Sequence, residues 1–102
     1  MIHVIAQIEV NAGCRREFLK EFHRIVPLVR AEQGCLAYGP TVDARTDLAA
    51  QVPLGENVVA IVEQWESLDA LKRHLAAPHM SEYRARVKDL VAKTAVHVLE
   101  PA

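Results

Sequence analysis

The residues best suited to chemistry gather in the second half of the chain: Glu63-Gln-Trp65-Glu-Ser67, then His74, Pro78, His79-Met80 and Tyr83. A carboxyl group and two imidazoles point to proton transfer, because an unperturbed imidazole titrates at about 6.5 and so exchanges a proton near neutrality. On a strand Glu63 and Trp65 share a face by period two, and an acid aimed at apolar surface has its pKa raised unless it is paired. Each of these residues also has a plainer use. Glu63 at a strand end can bond a neighbouring Arg or a backbone amide. His74 can bond a backbone carbonyl, His79 can cap the helix that follows it, and Met80 can simply fill core.

Other chemical devices are missing from the pattern. His74 and His79 lie five apart across Pro78, which matches neither a one-turn helical pair nor a Cys/His zinc module, so no metal site is expected. His3, His23 and His97 fall on separate elements and receive no role. With four glycines in the chain there is no Gly-rich phosphate loop or dinucleotide fingerprint, and no serine sits in a nucleophile elbow. An enzyme built from this inventory works by acid–base chemistry in a small apolar chamber, or on a substrate that reacts readily once oriented. Oxygen chemistry on an electron-rich ring fits that restriction.

The frame that must position these residues is small. The 102 residues are 51% hydrophobic and 25% charged, which bounds the chain to one domain with one core. A domain of this size hides only about two thirds of its unfolded surface, so association with a second copy is expected to support it. The formal net charge of −1 excludes a protein built to grip phosphate backbones. No run approaches the roughly 20 apolar residues of a spanning helix, and Met1 leads into His3, Gln7 and Glu9 rather than an export signal. The two cysteines, Cys14 and Cys35, do not make a disulfide scaffold and are expected reduced, in a cytoplasmic protein.

Residues Ile2 to Val10 alternate as a strand, with Ile2, Val4, Ala6, Ile8 and Val10 on one face. Phe18, Phe22, Ile25, Val26 and Val29 recur at helical spacing, with Gly34 as a stop and a kink expected at Pro27. Cys35 to Asp43 reads as a strand that Gly39-Pro40 assigns to an edge or a bulge. Ala44 to Asn57 is a long irregular stretch of the kind that forms lids or mobile insertions. Val58 to Trp65 is a strand apolar on both faces, so both must be covered. Ser67 caps a helix bearing Leu68, Leu71 and Leu75 that Pro78 ends; a further helix runs from about His79 to Val91, and Thr94 to Glu100 closes as a strand.

The order is β-α-β-β-α-β, an α+β, ferredoxin-like unit whose helices lie on one face of a four-stranded antiparallel sheet. The bare face then needs a second copy, and the union encloses a space between sheet and helices or between sheets where a small apolar ligand sits.

The segments Arg30-Ala-Glu-Gln-Gly34-Cys-Leu-Ala-Tyr38, Val62-Glu-Gln-Trp65-Glu-Ser-Leu-Asp-Ala-Leu71-Lys-Arg-His74-Leu and Pro78-His79-Met80 resemble the antibiotic biosynthesis monooxygenase family, and within it the small quinol monooxygenase-type proteins. The resemblance covers nearly all of the chain, read as a single domain over residues 1–102 with its core at about 2–100 and loop 44–57 as a longer insertion. It implies a dimeric α+β barrel and, among characterised relatives, oxidation of quinols or anthrones by dioxygen without flavin, haem or metal. Other relatives rearrange small signalling molecules or degrade haem, so the fold does not fix the reaction. The haem-degrading pattern departs here: the first strand offers Gln7, His74 stands where that branch has Trp, and Arg84 replaces the haem ligand.

The reading that results is a cofactor-independent monooxygenase acting on a small quinol or hydroxylated aromatic with dioxygen, as a homodimer without nucleic-acid or membrane partners. His74 is the first choice of base, followed by His79 and Glu63, while Trp65, Tyr38, Met80 and Tyr83 line the substrate. The alternatives are a non-catalytic dimeric binding or stress-response module, and an isomerase of a small hydroxycarbonyl compound, for which Arg84 or Arg86 near the pocket would be informative.

Overall fold

The alternation at the amino terminus forms β1 (Ile2–Val10), with Val4, Ala6, Ile8 and Val10 buried and Ile5 and Glu9 exposed, in a computed structural model describing residues 1–102. α1 (Arg15–Arg30) buries the stripe Phe18, Phe22, Ile25, Val26 and Val29. Pro27 does not end this helix. The carbonyl its missing N–H leaves free belongs to His23, and both residues are exposed, so water can serve that oxygen.

After Gly34 the chain enters β2 (Cys35–Thr41), and after a long connection β3 (Val58–Trp65). Ser67 caps α2 (Leu68–Leu75), its hydroxyl accepting from the Ala70 N–H at 3.1 Å. α3 (Pro78–Val87) begins at the proline itself, whose absent N–H is not needed in a first turn. The last helix therefore stops short of the Val91 expected from sequence, because Val91 pairs with Val10 and opens β4 (Val91–Leu99). Backbone pairing of Asn11 N–H with Leu90 O at 2.8 Å secures that early start.

The sheet order is β2-β3-β1-β4 and every neighbouring pair is antiparallel, which is the ferredoxin-like α+β arrangement. β2 is an edge strand with an irregular register between Cys35 and Ala37, in keeping with Gly39-Pro40. Register places Val4 level with Glu63 and Val98, and Ile8 level with Val59 and Thr94, so these side chains share the face that meets the helices.

The helices pack through aromatic contacts that run from α1 to β2 and to α3: Phe22 stacks on Tyr38 at 5.5 Å and meets Tyr83 edge-on at 5.7 Å. They leave β4 bare, and Val96 and Val98, which point the same way as Ala6 and Val4, remain 56% and 48% exposed. On the opposite face Ile5 lies level with Val62 and His97, and both Ile5 and Val62 are exposed.

The connection between β2 and β3 is held by local hydrogen bonds. The Asp43 carboxylate accepts the N–H groups of Leu54 and Gly55 at 2.9 Å each, and these bonds hold its pKa below the usual value. Cys14 and Cys35 are free thiols. No helix is long and apolar enough to cross a membrane.

Candidate functional site

A cavity of about 420 Å³ lies between the helices and the helix-facing side of the sheet, opening along β4. Its floor is β1 and β3 (Val4, Ala6, Ile8, Ile61), and α2 and α3 roof it through Leu71, Met80, Tyr83 and Val87. One chain suffices to form it. Packing α1 against β2 and α3 while leaving β4 uncovered makes a hollow inside the single domain, open on its β4 side. The segment 44–57, expected as a candidate lid, contributes no residue to its wall.

Polar groups interrupt this wall at few points. His74 and Glu63 are buried in it at 1% and 6% exposure, and Arg84, Lys88 and Thr94 stand at its exposed rim. Tyr38 and Tyr83 also line it, and burial raises the pKa of both phenols; the Glu63 charge adds to the rise at Tyr38, while Arg84 opposes it at Tyr83. Of the residues expected from sequence, the cavity thus brings together His74, Glu63, Tyr38, Met80 and Tyr83. Trp65 and His79 are not in its wall.

Both stand one layer behind. Trp65 is fully buried, lies against the His74 ring with centroids 4.6 Å apart, and donates its indole N–H to Glu63 Oε1 at 2.9 Å. Glu63 therefore bonds neither an Arg nor a backbone amide. Burial pushes its carboxyl above the ordinary range, the Trp65 N–H pulls it back in part, and Glu32 adds to the rise.

The group that sequence reasoning missed is Glu32, in the turn between α1 and β2. His74 Nδ1–H donates to Glu32 Oε2 at 2.9 Å, and His79 Nε2–H donates to the same oxygen at 2.8 Å. Gly34 brings that turn to α2. At φ +87° it adopts a conformation that disfavours side chains, and a Cβ there would lie 2.6 Å from the Ala70 Cβ. The Gly34 carbonyl also accepts the Glu66 N–H at 2.9 Å, fixing the turn against the start of α2. Glu32 lies in the segment Arg30-Ala-Glu-Gln-Gly34, but a lone acid near a glycine carries no periodicity that would single it out.

With Nδ1–H committed to a carboxylate, the free nitrogen of His74 is Nε2, which bears the lone pair of a neutral ring. Burial lowers the His74 pKa, Glu32 counteracts this through its hydrogen bond and charge, and His79 and Arg84 lower it further. The arrangement is an oriented base beside a carboxylic acid in an apolar hollow. Glu32, His74 and His79 also present one donor atom each within 4.8 Å of one another, a set of types that suits divalent transition metals. Arg86 is turned away from the cavity and pairs with Glu21 at 3.1 Å.

Comparison with known proteins accords with this architecture. The family model described as "Antibiotic biosynthesis monooxygenase" matches residues 1–86. The chain is 38% identical over 103 residues to the Escherichia coli (strain K12) protein named "Probable quinol monooxygenase YgiN", covering 99% of this chain and 98% of that one. Among solved structures, Rv0793 from Mycobacterium tuberculosis superposes with a TM-score of 0.81 at 27% identity, covering 99% and 94% of the two chains. PA3566 from Pseudomonas aeruginosa, at 24% identity and a TM-score of 0.82 over 99% of this chain and 93% of that one, shares the fold. The chain belongs to the antibiotic biosynthesis monooxygenase family.

Proposed function

We propose that this protein is a cofactor-independent monooxygenase that oxidises a small quinol or hydroxylated aromatic with dioxygen. The observation that carries the reading is His74, oriented by Glu32 in the wall of an apolar cavity of about 420 Å³, a volume suited to a compact ring system. Membership of the family and the similarity to the E. coli protein support it.

His74 Nε2 takes the phenolic proton, and the electron-rich anion then reduces dioxygen. For a hydroquinone the balance is one hydroquinone and one dioxygen giving one hydroxyquinone and one water, with all four electrons supplied by the ring. Glu63, whose burial favours the protonated form, donates a hydrogen bond to the second ring oxygen. Tyr38, Met80 and Tyr83 hold the ring in place, and Trp65 and Glu32 act as positioning residues behind His74 and Glu63. The deep burial of His74 and Glu63 in an apolar wall shields the reactive intermediate formed against them.

Two copies are proposed to associate through the sheet face that bears Ile5 and Val62, in the cytoplasm, without nucleic-acid or membrane partners. Oxygen uptake with a panel of reduced quinones, corrected for spontaneous oxidation, tests the activity. The wild type is expected to exceed the uncatalysed rate and His74→Ala to fall to it; no acceleration with any quinol overturns the reading. Arg84 in the cavity rim favours a second one, isomerisation of a small hydroxycarbonyl compound. That reaction consumes no oxygen and reveals itself by exchange of the substrate C–H with deuterated solvent.

A further inference from the structure

The cavity is unequal at its two ends. Its buried polar groups, Glu63 and His74, lie deep in an otherwise apolar wall, whereas Arg84, Lys88 and Thr94 are exposed at the rim. Glu63 is level with Val4 on β1 and Thr94 is level with Ile8. Four strand residues separate those levels, or about 13 Å at about 3.3 Å each.

The rim cations have no acidic partner. Every ion pair in the molecule is made by Glu21 or Glu32, and neither involves Arg84 or Lys88. One Arg84 N–H donates at 2.8 Å to the carbonyl of Leu75, the residue after His74, which ties the guanidinium to the rim beside the end of α2 and leaves its other donors free. Lys88 makes no side-chain hydrogen bond. Arg84 and Lys88 are four apart on α3 and its cap, where like charges repel and weaken the helix unless an anion sits between them. Apolar walls behind them keep their field from being dispersed into water. Across the opening, Thr94 offers a hydroxyl from β4.

From this we infer that the natural ligand is an aromatic acid, bound with its hydroxyl-bearing ring at His74 and Glu63 and its anionic substituent at the rim cations of α3 and its cap, Arg84 and Lys88. The inference rests on the cavity being an aromatic-ligand site and adds the charge of what fills it. An uncharged quinol fills the apolar part and leaves two unpaired cations at the rim. A compound with a hydroxyl at one end of a fused ring pair and a carboxylate at the other satisfies both ends at once.

The probes are 6-hydroxy-2-naphthoate and uncharged 2-naphthol, neither of which needs to turn over, with affinities measured by calorimetry on the full chain at low salt. The carboxylate is expected to bind about ten-fold more tightly than the naphthol, a preference that shrinks as salt screens it. In Arg84→Gln/Lys88→Gln the ratio is expected to fall below about two-fold. Lys88→Gln alone, at an exposed side chain without bonds, is expected to lower the ratio part of the way and guards against misfolding of the double variant. Naphthol binding without preference for the carboxylate, or a preference that survives the double variant, overturns this inference and leaves the quinol reading standing. Failure of both compounds to bind overturns the two together.

Discussion

The Trp65 indole lies against the His74 imidazole with ring centroids 4.6 Å apart, and it is the only tryptophan of the chain. Its emission is therefore a reporter of the His74 charge, since a protonated imidazole in contact quenches an indole. Titrating the wild type is expected to give a midpoint below the ordinary histidine value, because burial disfavours the charged ring. In Glu32→Gln the midpoint moves lower still, as the partner that supports the charged form has lost its charge. A midpoint that stays put in the variant contradicts the assigned pairing.

The proposed catalysis is expected to follow the same pair. His74→Ala is expected to lower the quinol-dependent rate by about 10²–10⁴-fold, the usual worth of a positioned base. Glu32→Gln is expected to cost less, about ten-fold, and to shift the acidic limb of the pH profile in step with the emission midpoint. A rate loss in Glu32→Gln without that shift would assign Glu32 a purely architectural part.

Glu63 supplies a stability test whose sign follows from its burial. Its folded-state pKa is raised, so between the unfolded value near 4.5 and the folded value the native state holds a proton that the unfolded chain has released. Stability contributed by this group is thus full at low pH and declines as pH rises through that window. Glu63→Gln retains an oxygen for the Trp65 N–H and removes the titration. The variant is expected to melt above the wild type at pH 8, with the difference shrinking toward pH 4.5; the reverse trend would contradict a raised carboxyl.

Trp65→Phe keeps a ring behind His74 but leaves Glu63 Oε1 without its donor. An unpaired buried polar atom costs about 1–3 kcal/mol, and the smaller ring adds a void. Thermal melts are expected to fall by about 10 °C, with Glu63 pushed further toward its neutral form. An unchanged melt would show that the indole N–H is dispensable.

Much of the frame was legible because it rests on periodicity. Alternation marked β1, helical recurrence of Phe18, Phe22 and Val29 marked α1, and the doubly apolar Val58–Val62 run marked β3. His74 was visible as an imidazole flanking the apolar stripe of its helix. Glu32 was not, since 42 residues separate it from His74 and only the tertiary fold joins them. Trp65 was expected to touch substrate, yet a period-two argument places it on the face of Glu63 without telling how far α2 covers its ring. The location of the chamber within one chain depended on which strand the helices leave bare, and no local pattern encodes that.

Gly34→Ala tests how the two halves of the site are joined. The new Cβ would meet that of Ala70 and the φ of +87° disfavours any side chain, so a loss of about 2 kcal/mol or more is expected, read as a melt about 10 °C lower. Glu32 should also drift from His74, so that the emission midpoint resembles that of Glu32→Gln. Wild-type values for both measurements would show that the turn does not depend on this approach.

Glu32 holds its place from a turn, while the two imidazoles it serves are locked into two helices. Exchanging the amino acid at that one position leaves both helices in place yet resets the basicity of His74. The scaffold therefore offers an inexpensive dial by which descendants of one ancestor can diversify their reactions without rebuilding their interiors.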